Sequence, residues 1–224
     1  FPSARILRMD ADTTRKMDGH ATLLNAFAKG EADILLGTQM IAKGLDVPNV
    51  TLVGILQGDA ALGRPDYRSI ENTFAMMVQA AGRSGRSALG GEVIIQAFDV
   101  RHYAVQYARN QDYVSFFNHE MKYRHQGQYP PYTYLIAITV SDDDWEKARM
   151  LAVDVASRCR GDESFKTLGP ADLGKIKGKF RFRIVCKGKD LAGMKAFVRQ
   201  EILPVKRKSG KTQISINVSP MGLQ

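Results

Sequence analysis

Apolar positions in the first half of the chain fall into short blocks separated by helical periodicities. Ile6 to Met9, Asp33 to Gly37, Thr51 to Leu56 and Glu92 to Ala97 read as strands, the second of them buried. Between them, His20 to Ala28 and a run with Ile70, Phe74, Met77, Val78 and Ala81 at helical spacing read as helices. Strands alternating with helices predict an α/β sheet with covering helices. One further helical stretch is expected from Val100 to Tyr123, broken by Gly127 and the Pro130-Pro131 pair.

The second half reads β-α-β-β-α-β: Tyr134 to Val140, Trp145 to Cys159, Thr167 to Leu168, Phe180 to Cys186, Leu191 to Val205, and Ile214 to Val218. Trp145, Ala148, Ala152, Val155 and Cys159 form one apolar stripe, and Leu191, Met194, Val198, Ile202 and Val205 form the other. That order predicts an α+β ferredoxin-like sandwich. The expected domains are residues 1–124 and 125–224.

Charge sharpens the division. Of the formal net charge of +9 over 224 residues, +1 falls before residue 125 and +8 beyond it. From Lys175 to Lys189 every odd position except Val185 is basic, and the even ones are Ile176, Gly178, Phe180, Phe182, Ile184, Cys186 and Gly188. Period-two alternation places Lys177, Lys179, Arg181 and Arg183 on one face of a strand, expected to face solvent, with the two phenylalanines on the core side. A solvated face and a phosphate-binding face both fit a strand of this kind; an almost wholly cationic one favours phosphates. No run is long enough to span a membrane, and a cytoplasmic protein is expected. Cys159 and Cys186 sit in apolar patterns and read as buried thiols. The four histidines lack ligand spacing and suit surface or capping roles, so no metal is expected in this chain.

Two motifs carry chemistry. Gln79-Ala-Ala-Gly82-Arg83-Ser-Gly85-Arg86 spells Q-x-x-G-R-x-G-R at the end of a helix, with Gln79, Arg83 and Arg86 sharing a face. A guanidinium stays charged and its donor fork matches phosphate oxygens, which is what stabilises charge spreading over a transferring phosphoryl group. Taken alone, the motif also fits a solvated basic turn. Upstream, Gly37-Thr38 followed by Gly44-Leu45-Asp46-Val47-Pro48 lies between two strands, at the carboxyl edge where open α/β sheets bind ligands. The two strings resemble motifs VI and V of superfamily 2 helicases, in the right order.

With Asp10-Ala-Asp-Thr-Thr14, Gly37-Thr-Gln-Met-Ile-Ala-Lys-Gly44, Gly58-Asp59-Ala-Ala-Leu62, Asp66-Tyr67-Arg68 and Tyr129-Pro-Pro-Tyr132, the whole chain resembles the PriA family of replication-restart helicases. The resemblance implies most of a second RecA-like lobe followed by a domain like ribosomal protein S10, from a 3′ to 5′ ATP-dependent DNA helicase of primosome assembly. It also implies catalytic roles for Gln79, Arg83 and Arg86, nucleotide contact by Gly44 and Asp46, and DNA contact by Thr38, Gln39 and Lys43. Partners implied are branched and single-stranded DNA, the acidic tail of single-strand DNA-binding protein, and other primosome proteins. The sequence has no phosphate-binding loop and no D-E-x-H box; Gly210-Lys211-Thr212 lacks the required first glycine and reads as a turn. ATP and magnesium are therefore expected to be held by a lobe outside this chain, and the resemblance implies zinc on cysteines upstream of Phe1. A non-catalytic nucleic-acid-binding module and another superfamily 2 translocase are the alternative readings.

Overall fold

The computed structural model describes residues 1–9, 19–38, 50–64, 66–82 and 91–223. It divides into two compact units, Phe1–Arg64 with Arg68–Phe117, and Pro65–Tyr67 with Asn118–Gln224.

In the first unit, β1 (Ile6–Met9) and β2 (Ile34–Gly37) pair in parallel around α1 (Gly19–Ala28). Strands β3 (Leu52–Ile55) and β4 (Glu92–Ile95) likewise pair in parallel around α2 (Ser69–Ala81). Parallel neighbours need a crossover, and the helical periodicities supply it. Arg5 secures the first pair: its Nη2 donates to Asp33 Oδ1 at 2.8 Å and its backbone N–H to Asp33 Oδ2 at 2.9 Å. These hydrogen bonds from Arg5 pull the Asp33 carboxyl down to about 2. The expectation of a buried β2 fails, since Ile34 and Leu36 are 36% and 52% exposed. The β1–β2 ribbon has no third strand among the described residues, so its alternate side chains point outward.

Helix α2 packs where its stripe predicts. Met77 is fully buried, and Phe74 stacks face to face on Phe116 with centroids 3.9 Å apart. The expected helix from Val100 to Tyr123 is two, α3 (Tyr103–Arg109) and α4 (Tyr113–Gln126). Gln111 adopts φ 53° between them, and Asp112 Oδ1 accepts the Ser115 N–H at 3.0 Å to restart the chain as a helix. His102 takes a capping role on α3, its Nδ1 accepting from the Ala104 N–H.

In the second unit, β5 (Tyr134–Asp142), β6 (Phe165–Ile176), β7 (Lys179–Gly188) and β8 (Gln213–Val218) form an antiparallel sheet in the order β6-β7-β5-β8. With α5 (Trp145–Arg160) between β5 and β6, this is the β-α-β-β-α-β sandwich the pattern predicts. Asp144 and Asp190 cap the two helical segments by accepting backbone N–H groups. The core joins Ile136, Ile138 and Val140 of β5 and Phe182, Ile184 and Cys186 of β7 to Ala148, Ala152 and Val155 of α5. Cys159 and Cys186 are buried and free, as expected; the hydrogen bond with Cys159, together with burial, raises the Cys186 thiol.

Two elements depart from expectation. Strand β6 is far longer than Thr167 to Leu168, because its pairing with β7 continues across register shifts at Leu168/Ala171 and Asp172/Lys175. Gly169 sits at one shift with φ +96°, where a Cβ would collide with the Arg183 carbonyl. The helix expected from Leu191 to Val205 is split into α6 (Leu191–Phe197), a π segment (Val198–Ile202) and α7 (Leu203–Lys208). Pro204, at the start of α7, offers no N–H to the preceding turn, and the wider π turn accommodates it.

The opposite face of the sheet is also covered. Leu135, Ala137, Arg183, Val185 and Lys187 all lie on it and all are buried. Lys187 Nζ donates to the Gly127 carbonyl at 3.1 Å and lies 3.3 Å from the centroid of the Tyr129 ring. Burial, with a smaller contribution from Lys166, pushes its ammonium down to about 8.

Asp142 fastens the end of β5. Its carboxylate accepts the Thr212 hydroxyl at 2.6 Å and the Asp144 N–H at 2.9 Å, and these bonds lower it to about 2. Asp142→Asn is expected to cost about 1 to 3 kcal/mol, measured by urea unfolding followed through the single tryptophan, Trp145. A carboxyl depressed below its ordinary 3.8 stabilises the fold above that value and loses the contribution as pH falls towards 2. The parent chain should therefore lose more stability than the variant between pH 5 and about 2. Equal losses would remove Asp142 from this role.

Lys187 should titrate near pH 8 when followed by NMR at its ε-methylene. Tyr129→Ala, which opens the ammonium to water, should return it towards the ordinary lysine value. A Lys187 titrating near 10.5 in the unsubstituted chain would contradict the burial described.

Candidate functional site

Helix α2 is built to hold its exposed end still. Ser69 Oγ donates to the Arg64 carbonyl at 3.4 Å, the buried Thr73 Oγ1 donates to the Ser69 carbonyl at 2.7 Å, and Arg68 pairs with Glu71 at 3.0 Å. At the other end Gly82 closes the helix, its N–H donating to the Val78 carbonyl. Phe74, Met77 and Ala80 face the core while Gln79 is exposed. The side chain that opens the Q-x-x-G-R-x-G-R motif therefore stands apart from the packing that fixes its backbone. Arg83 and Arg86 lie outside the described residues.

Thr38 follows the last residue of β2 and is exposed at the carboxyl end of that strand, the edge from which a hydroxyl and a turn N–H can meet a phosphate. Gln39, Lys43, Gly44 and Asp46 lie outside the described residues.

Two short strings to which the sequence assigns no chemistry prove structural. The Gly58 N–H donates to the Gln96 carbonyl at 2.8 Å, and a Cβ there would lie 2.9 Å from Ile95 Cγ2, so the turn after β3 fits only glycine closely against β4. Asp59 Oδ2 accepts the Asp99 N–H at 2.8 Å, the main reason its carboxyl is lowered. Asp66 and Tyr67 belong to the second unit, where Asp66 Oδ2 accepts the Leu223 N–H and the Tyr67 hydroxyl donates to the Pro220 carbonyl at 3.1 Å.

The basic face needs correction. Lys175 to Lys189 is not one strand: Lys177 and Gly178, with φ 50° and 81°, form the turn of the β6–β7 hairpin. Lys175 and Lys177 are exposed at its tip, and Lys179 and Arg181 are half-buried. Arg183, expected in solvent, is buried at 9% exposure, because residues outside the sheet cover the face it occupies. Its Nε donates to Thr139 Oγ1 at 3.2 Å and its Nη1 is buried without a hydrogen-bond partner. Burial, then the neighbouring Arg181, lowers its pKa, while Asp66 acts in the opposite sense. Phe180 and Phe182 pack on the helix side as expected, and Lys175 Nζ lies 4.7 Å from the Phe180 ring centroid. The accessible cations thus concentrate at a hairpin tip rather than along a strand. Among the described residues no group of three or more His, Cys, Asp or Glu is placed to hold a metal ion, and no helix is long and apolar enough to cross a membrane.

The residues missed from sequence are aromatic and distant. Tyr67 and Tyr129 stack at 5.6 Å with their planes 9° apart, and Arg124, bonded to Glu120 at 2.8 Å, lies over the Tyr67 ring. The Tyr-Pro-Pro-Tyr string marks the place, yet nothing local pairs it with Tyr67.

Comparison with known proteins gives two successive family matches. Residues 3–88 match the family described as helicase conserved C-terminal domain, and residues 125–221 match primosomal protein N C-terminal domain. A replication restart protein PriA of Bacillus subtilis is 44% identical over 97% of this chain and 28% of its own length. PriA proteins of Chlamydia pneumoniae and Synechocystis are 37% and 34% identical over 99% and 100% of this chain. The chain spans under a third of the length of each of these relatives. Carrying a helicase C-terminal domain and a primosomal C-terminal domain in succession, the chain belongs to the PriA family of replication restart proteins.

Proposed function

We propose that the chain is the arginine-bearing and DNA-contacting part of an ATP-driven 3′ to 5′ DNA helicase that acts in replication restart. One observation carries the reading: the chain joins the two family domains in order, and the last turn of its α2 bears an exposed Gln79, four residues before Arg83 in the sequence. ATP is the substrate. With no phosphate-binding loop in the 224 residues, its magnesium-bound triphosphate is cradled by another lobe, and Arg83 and Arg86 reach it from this one. Gly44 and Asp46 complete the nucleotide side. Thr38, Gln39 and Lys43 hold the DNA backbone from the strand edge. The hairpin tip, with Lys175, Lys177 and Lys179, adds phosphate contacts from the C-terminal unit. Arg183 and Lys187, being buried, act in packing. Other primosome proteins and the acidic tail of single-strand DNA-binding protein are further partners of the same assembly.

In a full-length protein carrying this chain, Arg86→Ala should lower DNA-dependent ATP turnover by on the order of 10³-fold or more. DNA affinity should persist. Turnover within about tenfold of the parent would remove the arginine from catalysis.

Replacing Lys177 and Lys179 together by Gln should weaken DNA binding and shift the slope of log K against log salt by up to about 0.9 for each phosphate that is no longer neutralised. Trp145 fluorescence, reporting the same unit, should show unchanged unfolding. If slope and affinity stay as in the parent, the tip is simply solvated.

A further inference from the structure

We infer that the outer face of the C-terminal sheet carries a site for a phosphate dianion, held between Arg181 and Arg183 of β7 and the hydroxyls of Thr139 and Ser141 on β5. The site lies within one unit and draws on neither the arginine motif nor the hairpin tip.

Strand register brings these groups together. Thr139 stands opposite Arg183 and Ser141 opposite Arg181, and β8 continues both rows with Ser215 beside Thr139 and Gln213 beside Ser141. Alternation puts all six on the face away from the core residues Ile138, Val140, Phe182 and Ile184. Directly opposed residues have Cβ atoms about 5 Å apart, and successive residues on one face of a strand are about 7 Å apart. Two guanidiniums and two hydroxyls therefore fall within reach of a single tetrahedral anion. Burial grades across the patch: Arg183 is 9% exposed, Arg181, Thr139 and Ser141 are half-buried, and Ser215 and Gln213 are exposed. The patch is thus open to solvent on the β8 side and closed at Arg183. The Nε of Arg183 donates to Thr139 Oγ1 at 3.2 Å, which draws its guanidinium over β5 towards the half-buried rows.

The two cations lack a counter-ion. Arg181 makes no hydrogen bond or ion pair among the described residues, and Arg183 keeps a buried Nη1 with no hydrogen-bond partner. Other buried cations of this unit are provided for: Arg124 bonds Glu120 at 2.8 Å, and Lys187 has the Gly127 carbonyl and the Tyr129 ring. An unpaired buried charge is costly, and a like charge beside it adds to the cost. After burial, Arg181 is the next cause that lowers the Arg183 pKa; Asp66, whose Oδ2 already accepts the Leu223 N–H, opposes it more weakly. The local field is accordingly that of a cation pair. A phosphomonoester, with a charge of about −1.5 to −2 at neutral pH, balances two guanidiniums, whereas each backbone phosphodiester brings a single charge. Guanidinium forks match phosphate oxygens two at a time. The Ser141 hydroxyl, with no partner among the described residues, is free to donate to a remaining oxygen.

The test is made on the 224-residue chain, whose sequence has no phosphate-binding loop to compete for the probe. Inorganic phosphate is titrated at about pH 7.5, where phosphomonoesters are largely dianionic, with ionic strength held constant by KCl. It should raise the unfolding temperature read by Trp145 fluorescence, and the rise should follow a binding curve. Arg181→Gln should weaken the apparent affinity by about 10- to 100-fold, and Ser141→Ala by about 2- to 10-fold. Both positions are half-buried, so the test does not depend on whether a variant of the buried Arg183 folds. Replacing Lys177 and Lys179 by Gln should leave the response as in the parent. Adenosine monophosphate and a single-stranded oligonucleotide with or without a 5′-phosphate then assign the source. Equal affinity for inorganic phosphate and adenosine monophosphate marks a site for the free anion. Tighter binding of the 5′-phosphorylated oligonucleotide, lost in Arg181→Gln, marks a nucleic-acid end. If both oligonucleotides bind alike and phosphate gives no binding curve, the patch meets the backbone and the inference is overturned. A phosphate response that survives Arg181→Gln, or that the Lys177 and Lys179 variant loses to the same degree, overturns it as well.

Discussion

A column of cations and aromatic rings holds the C-terminal unit to its covering segments. Lys187 of β7 lies against Tyr129, Tyr129 stacks on Tyr67, Arg124 lies over Tyr67, and Glu120 bonds Arg124. Withdrawing an ammonium and a guanidinium from water is costly unless something replaces the hydration. Here ring faces, the Gly127 carbonyl and one carboxylate do so. The column meets the sheet at Lys187, on the face where Leu135, Ala137 and Val185 are also buried, so this side of the sandwich is covered where a two-layer fold would leave it open. The hairpin tip, with Lys189 just past the far end of β7, is what remains of the alternating basic pattern in solvent.

Much of the fold was legible. The 3.6-residue stripes of α2 and α5 give the buried residues directly, and the order of strands in the second half gives the sheet topology, because one hairpin and two parallel crossovers leave few arrangements. Interruptions were less readable. Gln111 and Pro204 break helices through backbone geometry within a continuing apolar pattern, and β6 hides behind Gly169, Pro170 and Gly174, whose register shifts erase the alternation by which a strand is recognised. Alternation along β7 did place the basic residues on one face. It could not tell what covers that face, since the covering residues come from elsewhere in the chain.

The candidate site divides the same way. Gln79 and Thr38 were singled out because the chemistry proposed for them restricts the residue types that suit it, and both stand exposed. Gly58, Asp59, Asp66 and Tyr67 belong to strings that carry the resemblance, yet they act on the protein itself: a close turn, a loop bond, an anchored tail. Strings of this kind identify a family by its architecture as much as by its reaction.

The C-terminal unit is discontinuous in sequence. The Tyr67–Pro220 and Asp66–Leu223 hydrogen bonds span 153 and 157 residues. During synthesis from the N-terminus, Asp66 and Tyr67 therefore emerge long before the groups that receive them. The lobe can begin to fold around α2 while these two side chains still lack those partners, and the second unit closes only when the last strand and its tail have been made. Contacts of such range are slow to form because loop closure precedes any gain from them. Completion of the C-terminal unit thus waits on its last strand and tail, however early Asp66 and Tyr67 emerge.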